Sequence, residues 1–270
     1  GGCMEFVWAS CAFGGKVRGV RAGGCDCEAM GKVVAQLGGG GLGQWSETGG
    51  RGYVVNWRSE GEVCAEARRG GPRWLERVAQ AADGVKAKDL TQFVPMQGRG
   101  THSAVLVLFG EHKDILIIER ATDSSVHSGQ PAFPGGRVED FDHSASEAAL
   151  REAHEETGVN PGGVTVFAQL PDLWIPVSDY VVSPVLGWWH ESGKVGPRDA
   201  REVASVHRIP IADFVNPHNR VQIRHPSGYV GDAFEVNNLL VWGFTGGLLS
   251  TLFELSGWSV PWDRDRLKEL

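Results

Sequence analysis

Beyond residue 64 the chain has no cysteine. Its five cysteines, Cys3, Cys11, Cys25, Cys27 and Cys64, all come early. That excludes a disulfide framework for the bulk of the protein. Cys25-Asp26-Cys27 has no second pair at zinc-site spacing, so a structural zinc is not expected there. Long apolar runs are missing too. The nearest, LLVWGFTGGLLSTLF (239–253), is broken by Gly243, Thr245, Gly246, Gly247, Ser250 and Thr251. A membrane-spanning helix needs roughly 20 apolar residues, so this stretch reads as a buried helix and no membrane partner is expected. Surplus positive charge is the third absence. Lys and Arg number 26 against 33 Asp and Glu, for a formal charge of −7. A general nucleic-acid binder would be basic. No charged-then-apolar segment opens the chain, so a cytoplasmic location is the default expectation.

Glycine is plentiful but unevenly placed. Half of the 38 glycines fall in residues 1–71, including GGGGLG at 38–43. Apolar periodicity is weak there, and the ordering entropy is high with little core to offset it. GGGGLG lacks the preceding strand and the Gly-Lys-Ser/Thr ending of a phosphate-binding loop. Residues 1–71 are therefore expected to be a flexible or non-native extension, of the kind an over-long start would produce. Residues 72–270 form the expected domain.

Order begins near Pro72, where Trp74, Leu75, Val78 and Ala82 recur at helical spacing. SAVLVLFG (103–110) and DILIIER (114–120) read as strands joined by a GEHK turn. HSASEAALREAHEET (143–157) reads as a helix capped by Ser144 or Ser146. Further strand-like runs cover 164–170, 180–190, 201–211 and 220–225, and a closing helix is expected over 237–255. Trp174, Trp188 and Trp189 read as core or pocket wall. Strands outnumber helices, and the main helix lies mid-chain. That pattern fits a mixed α/β sandwich better than a doubly wound sheet.

The mid-chain helix carries an electrostatic oddity. At 100° per residue, Glu155 and Glu156 lie about −60° and +40° from Glu152. Ala145, Ala148 and Ala149 share their side, small residues expected to leave room for something to dock, and Leu150 points the other way. Like charges at this spacing repel. A solvated helix with an Arg151–Glu155 pair would tolerate that cost. The preceding Phe133-Pro134-Gly135-Gly136 turn favours another reading, with Glu139 and Asp142 adding acids at its entrance. Clustered hard oxygens suit Mg²⁺ or Mn²⁺, which bind through a few carboxylates and substrate phosphates.

Arg151-Glu152-Ala153-His154-Glu155-Glu156-Thr157-Gly158-Val159 resembles the second half of the Nudix hydrolase box, G-x5-E-x7-R-E-U-x-E-E-x-G-U, where U is aliphatic. The first half departs: counted from Gly136 the loop is one residue longer, and His143 falls where glutamate belongs. The longer loop is similar to the coenzyme A pyrophosphatase branch of that family. So is LIIERATDSSVHSGQPAFPGG (116–136), in which Arg120, Ala121, Gly129 and Phe133–Gly136 fit the branch's upstream signature. Ile118 and Ser125 depart, standing where that signature has threonine and arginine.

The resemblance implies an α/β/α sandwich with a mixed sheet and a catalytic loop-helix. It implies a metal-dependent pyrophosphohydrolase cleaving coenzyme A or acyl-CoA to 3′,5′-ADP and phosphopantetheine. ADP-ribose or another nucleoside diphosphate derivative is the alternative substrate, and a non-catalytic nucleotide-binding module is the alternative of another class. Glu152, Glu155 and Glu156 would be metal ligands, with a backbone carbonyl of Gly136. One of them, or Glu202 from its own strand, would be the general base. Arg151 would orient a glutamate. Candidate substrate contacts are Arg120, His127, Gly129 and Phe133. Within NRVQIRHPSGYVGDAFEV (219–236), Arg220, Arg224, His225 and Tyr229 offer basic groups and a stackable ring for a phosphorylated adenosine. The expected partner is the small-molecule substrate, with neither nucleic acid nor membrane, and a homodimer is the assembly entertained.

Overall fold

A computed structural model describes residues 41–48 and 52–59 as backbone, and residues 72–91, 100–121 and 129–270 in full. The other residues, His127 and Ser125 among them, lie outside the described residues, as does most of the Gly-rich extension expected over 1–71.

A large mixed sheet organises the chain. Its spine runs in the order β10-β4-β3-β9-β7-β1-β2, with strands β10 (Val203–Pro210), β4 (Asp114–Arg120), β3 (Thr101–Gly110), β9 (Tyr180–Trp189), β7 (Val164–Gln169), β1 (Gly41–Thr48) and β2 (Gly52–Ser59). Three short strands attach to it. β5 (Pro131–Ala132) pairs with β4, β6 (Gly135–Arg137) with β3, and β8 (Leu173–Ile175) with β9. Among the described strands of this sheet only β3 and β9 pair in parallel, from Thr101↔Tyr180 to Gly110↔Trp189. Both are covered on two faces and almost continuously buried, which is why they read as unbroken apolar runs.

The helices α1 (Glu76–Ala82), α2 (Ala87–Leu90), α3 (Ala145–Thr157), α4 (Ile211–Val215) and α5 (Gly243–Leu255) complete the fold. Residues 104 and 109 of β3 point to opposite faces. Ala104 sits opposite Gly136 on the side of α3. Phe109 meets Trp74 and Trp258 on the other side, where Phe253 of α5 packs as well. The result is an α/β/α arrangement about a mixed sheet, as expected. Among the described residues no helix is long and apolar enough to cross a membrane.

A second, four-stranded sheet has the order β13-β12-β11-β14, formed by β11 (Arg220–Arg224), β12 (Val230–Val236), β13 (Leu239–Val241) and β14 (Leu267–Glu269). The expected helix over 237–255 is therefore shortened. Asn237 and Asn238 take left-handed conformations, φ 51° and 61°, and turn β12 into β13. Two such residues in a row make a tight hairpin turn, and that overrides helical periodicity.

The helix α3 is fixed at both ends. Ser144 Oγ accepts the Glu147 N–H at 3.1 Å, so of the two serines proposed as the cap it is Ser144 that serves. Gly158 closes the other end at φ 78°, donating its N–H to the His154 carbonyl. Ala148, Ala149 and Ala153 are fully buried. The alanines do not leave room for a ligand; they let the helix lie close on the sheet.

Candidate active site

The loop and the helix close on each other through two glycines. The Gly135 N–H donates to Glu156 Oε2 at 2.9 Å. A Cβ on Gly136 would lie within 2.6 Å of both Glu152 carboxylate oxygens, so that carboxylate rests directly on the Gly136 backbone. Gly135 is pressed equally hard from the sheet side, where a Cβ would strike the Ala104 carbonyl. The short strand β6 holds both glycines in register against Ala104 and Val105.

Glu156 is 7% exposed. Burial pushes its proton affinity up to about 7, and nearby Glu152 and Glu202 push the same way. The Gly135 N–H and the Arg120 guanidinium oppose the rise without cancelling it. Glu152 is also raised, by burial first, against the pull of Arg151. Arg120 donates to the Gly135 carbonyl at 3.5 Å, which places it beside the same loop. Glu202 acts on this cluster from the turn just before β10 and not from a strand, as the sequence had suggested. Its carbonyl accepts the Ala121 N–H, tying that turn to the end of β4.

Arg151 is the hub of the acidic face. It donates to Asp142 through two nitrogens at 3.0 and 2.9 Å, and to Glu152 at 2.8 Å, Glu155 at 3.1 Å and the Arg137 carbonyl at 3.0 Å. These contacts, Asp142 foremost, strengthen its hold on its proton. Asp142 is the functional residue that sequence reasoning misplaced. It was expected to add an acidic group at the entrance of the Phe133–Gly136 turn. Its side chain is 1% exposed and wholly engaged, gripping Arg151 and accepting the Glu139 N–H. The signal was present: counting forward from Gly136 reaches Asp142 where the box has its first glutamate. Glu155 is the outermost of the three glutamates, with a side chain 58% exposed.

Among the described residues no three His, Cys, Asp or Glu side chains converge on one point as a ready metal cage. Glu152 and Glu155 turn to Arg151, and Glu156 to the Gly135 N–H. The donor chemistry nevertheless fits a hard cation. Two carboxylates are held above their ordinary range by burial, and a divalent ion would cancel that cost.

The expected substrate contacts are not all brought together. Gly129 takes φ 68° in the turn leading to β5 and donates to the Arg120 carbonyl. Phe133 is 1% exposed and packs in the core. Arg220 is likewise 1% exposed. It lies between the rings of Phe234 and Trp262, 4.6 Å from each, and donates to Ser250 at 2.6 Å. Arg224 pairs with Glu269, His225 stacks on Trp242, and Tyr229 is packed over Gly231. The contacts of these four stay within the second sheet, α5 and the C-terminal segment. None reaches α3 or the Gly135–Arg137 loop.

Residues 100–227 match the model of the NUDIX domain. The uncharacterized Nudix hydrolase NudL of Escherichia coli K12 is 34% identical over 151 residues, which span 51% of this chain and 72% of that protein. NudL of Shigella flexneri is 31% identical over 171 residues, 58% of this chain and 83% of its own. Among solved structures, a NUDIX hydrolase from Nitrosomonas europaea matches with TM-score 0.42 at 13% identity, covering 65% of this chain and 81% of its own. The NUDIX domain of Shewanella oneidensis NrtR, complexed with ADP ribose, matches with TM-score 0.35 at 19% identity, covering 50% and 84%.

Proposed function

Since this chain belongs to the Nudix hydrolase family, whose members hydrolyse phosphoanhydride bonds, we propose that it cleaves the diphosphate of coenzyme A or acyl-CoA to 3′,5′-ADP and phosphopantetheine. The observation that carries the reading is the closure of the loop on the helix. Gly135 and Gly136 bring backbone against Glu156 and Glu152, beneath a face where Glu202 and Arg120 also act. The upstream residues Arg120, Ala121, Gly129 and Phe133–Gly136 support the coenzyme A branch. We place the hydrolase domain's site at residues 72–270, where all of these residues lie, while β1 and β2 add two strands to the same sheet.

Glu152, Glu155 and Glu156, with the Gly136 carbonyl, would hold Mg²⁺ or Mn²⁺. The bound ion would neutralise the diphosphate and lower the pKa of a coordinated water. Arg151, fixed by Asp142, holds the half-buried Glu152 in place and pairs with the more exposed Glu155. Arg120 offers positive charge beside Glu156, where a diphosphate oxygen would need it. Glu156, with a proton affinity near neutrality, and exposed Glu202 are the candidates to take a proton from the attacking water.

One observation favours ADP-ribose as a second reading. The cations expected to hold a 3′-phosphate are engaged elsewhere, Arg220 inside the fold and Arg224 with Glu269. Incubation with Mg²⁺ and a substrate panel separates the two. Release of 3′,5′-ADP marks coenzyme A, and AMP with ribose 5-phosphate marks ADP-ribose. Nucleotide binding without turnover on any of them would instead mark a non-catalytic module.

A further inference from the structure

Two side chains beside the loop have no role in the chemistry above. Phe141 is 65% exposed, so one face of a large ring is open to solvent beside the loop. It is held firmly. The Asp142 N–H donates to the Glu139 carbonyl, and the Glu139 N–H donates back to Asp142 Oδ2, each at 2.9 Å. The Arg151 guanidinium lies 5.3 Å from the ring centroid and covers one face. Arg137, the last residue of β6, is exposed, and its carbonyl accepts from the same Arg151. Its guanidinium sits 5.9 Å from the Tyr180 ring and donates through Nε to the Tyr180 hydroxyl at 3.2 Å. Among the described residues this phenol is its hydrogen-bond partner, and its two terminal nitrogens stand ready for an anion.

We propose that Phe141 and Arg137 form a recognition edge for the non-reacting half of the substrate, Phe141 stacking on a nucleobase and Arg137 taking a phosphate outside the scissile diphosphate. This rests on the diphosphatase reading above. Aromatic rings bind bases through their faces with little regard to identity. With Arg151 against one face, the ring keeps its other face open for a base. A guanidinium offers paired N–H groups to phosphate oxygens. Arg151 links both residues to the acidic face: it lies over the Phe141 ring and donates to Glu152 and to the Arg137 carbonyl. The edge supplies what Arg220 and Arg224 do not: an available cation and an open ring beside the carboxylates.

The test is equilibrium titration of the full chain, in Mg²⁺, with 3′,5′-ADP and with AMP, alongside steady-state kinetics on coenzyme A. Phe141→Leu keeps apolar cover over Arg151 but removes the aromatic face. It should weaken both nucleotides and raise KM roughly 5- to 100-fold with kcat little changed. Phe141→Trp should restore binding. Arg137→Gln should weaken 3′,5′-ADP roughly tenfold and leave AMP alone. The proposal fails if Phe141→Leu binds both nucleotides like wild type, or if it lowers kcat at constant KM, which would make the ring a cover for Arg151. It fails equally if Arg137→Gln affects the two nucleotides alike, or if the wild type binds neither. Absence of turnover on coenzyme A would count against the substrate assignment, while the titrations would still decide the edge.

Discussion

At the scale of single residues, Glu156 is the most exposed to experiment because its two roles conflict. Burial raises its proton affinity from the usual 4.5 to about 7. The folded state therefore binds a proton more tightly than the unfolded chain does. Stability is greatest below the unfolded value, falls as pH rises from about 4.5 to about 7, and is level beyond. The loss is up to about 3 kcal/mol. Glu156→Gln removes the titration. In metal-free buffer the variant should hold its melting temperature from pH 5 to pH 8, where the wild type drops. Its kcat should fall at least about 100-fold. Parallel pH–stability curves for the two proteins would mean the buried carboxylate titrates elsewhere. Arg151 gives the second residue-scale lesson. Its match to the family pattern was legible in sequence. The identity of its anchor, Asp142, was hidden by the longer loop, because an acid near an acidic cluster looks like one more ligand until a guanidinium is found between them.

At the scale of elements, the loop β6 and helix α3 form one device. Gly136→Ala should displace the Glu152 carboxylate, since the new methyl would occupy its place. Activity should fall at least tenfold while circular dichroism stays native, and an active Gly136→Ala protein would refute that packing. Ser144→Ala removes the cap and should cost about 1 kcal/mol, read as a lower thermal midpoint. The helix was legible in sequence because caps and periodicity agreed. The turn at Asn237 was not, because two asparagines before an apolar run look like a helix start until their left-handed backbone is known. Buried alanines misled for a related reason. Small side chains beside charges suggest an open face, yet here they mark where helix and sheet approach most closely.

At the scale of the whole molecule, the second sheet is a separate structural problem with its own buried cation. Arg220 stacks between Phe234 and Trp262 and donates to Ser250, which in turn donates to Asp232. Arg220→Ala should destabilise the protein by about 3 kcal/mol and leave KM unchanged. A raised KM at unchanged stability would return Arg220 to the list of substrate contacts. The C-terminal segment also pairs β14 with β11 and carries more exposed ion pairs, Arg264 to Asp232 and Glu254, Lys268 to Glu235, and Arg224 to Glu269. Exposed pairs contribute little singly and weaken with salt. Sequence patterns at 219–236 showed basic and aromatic residues correctly. They could not show that the most attractive of them points inward, because burial of an arginine depends on aromatic partners distant in sequence.

The parallel pairing of β3 with β9 sets an order of events during synthesis. The signature is complete once Val159 has been made, but β3 gains its parallel neighbour only when Tyr180–Trp189 leaves the ribosome. Distant pairings of this kind close late and slow folding. A nascent chain halted between those points would carry every diagnostic letter of the family before β3 has its parallel partner.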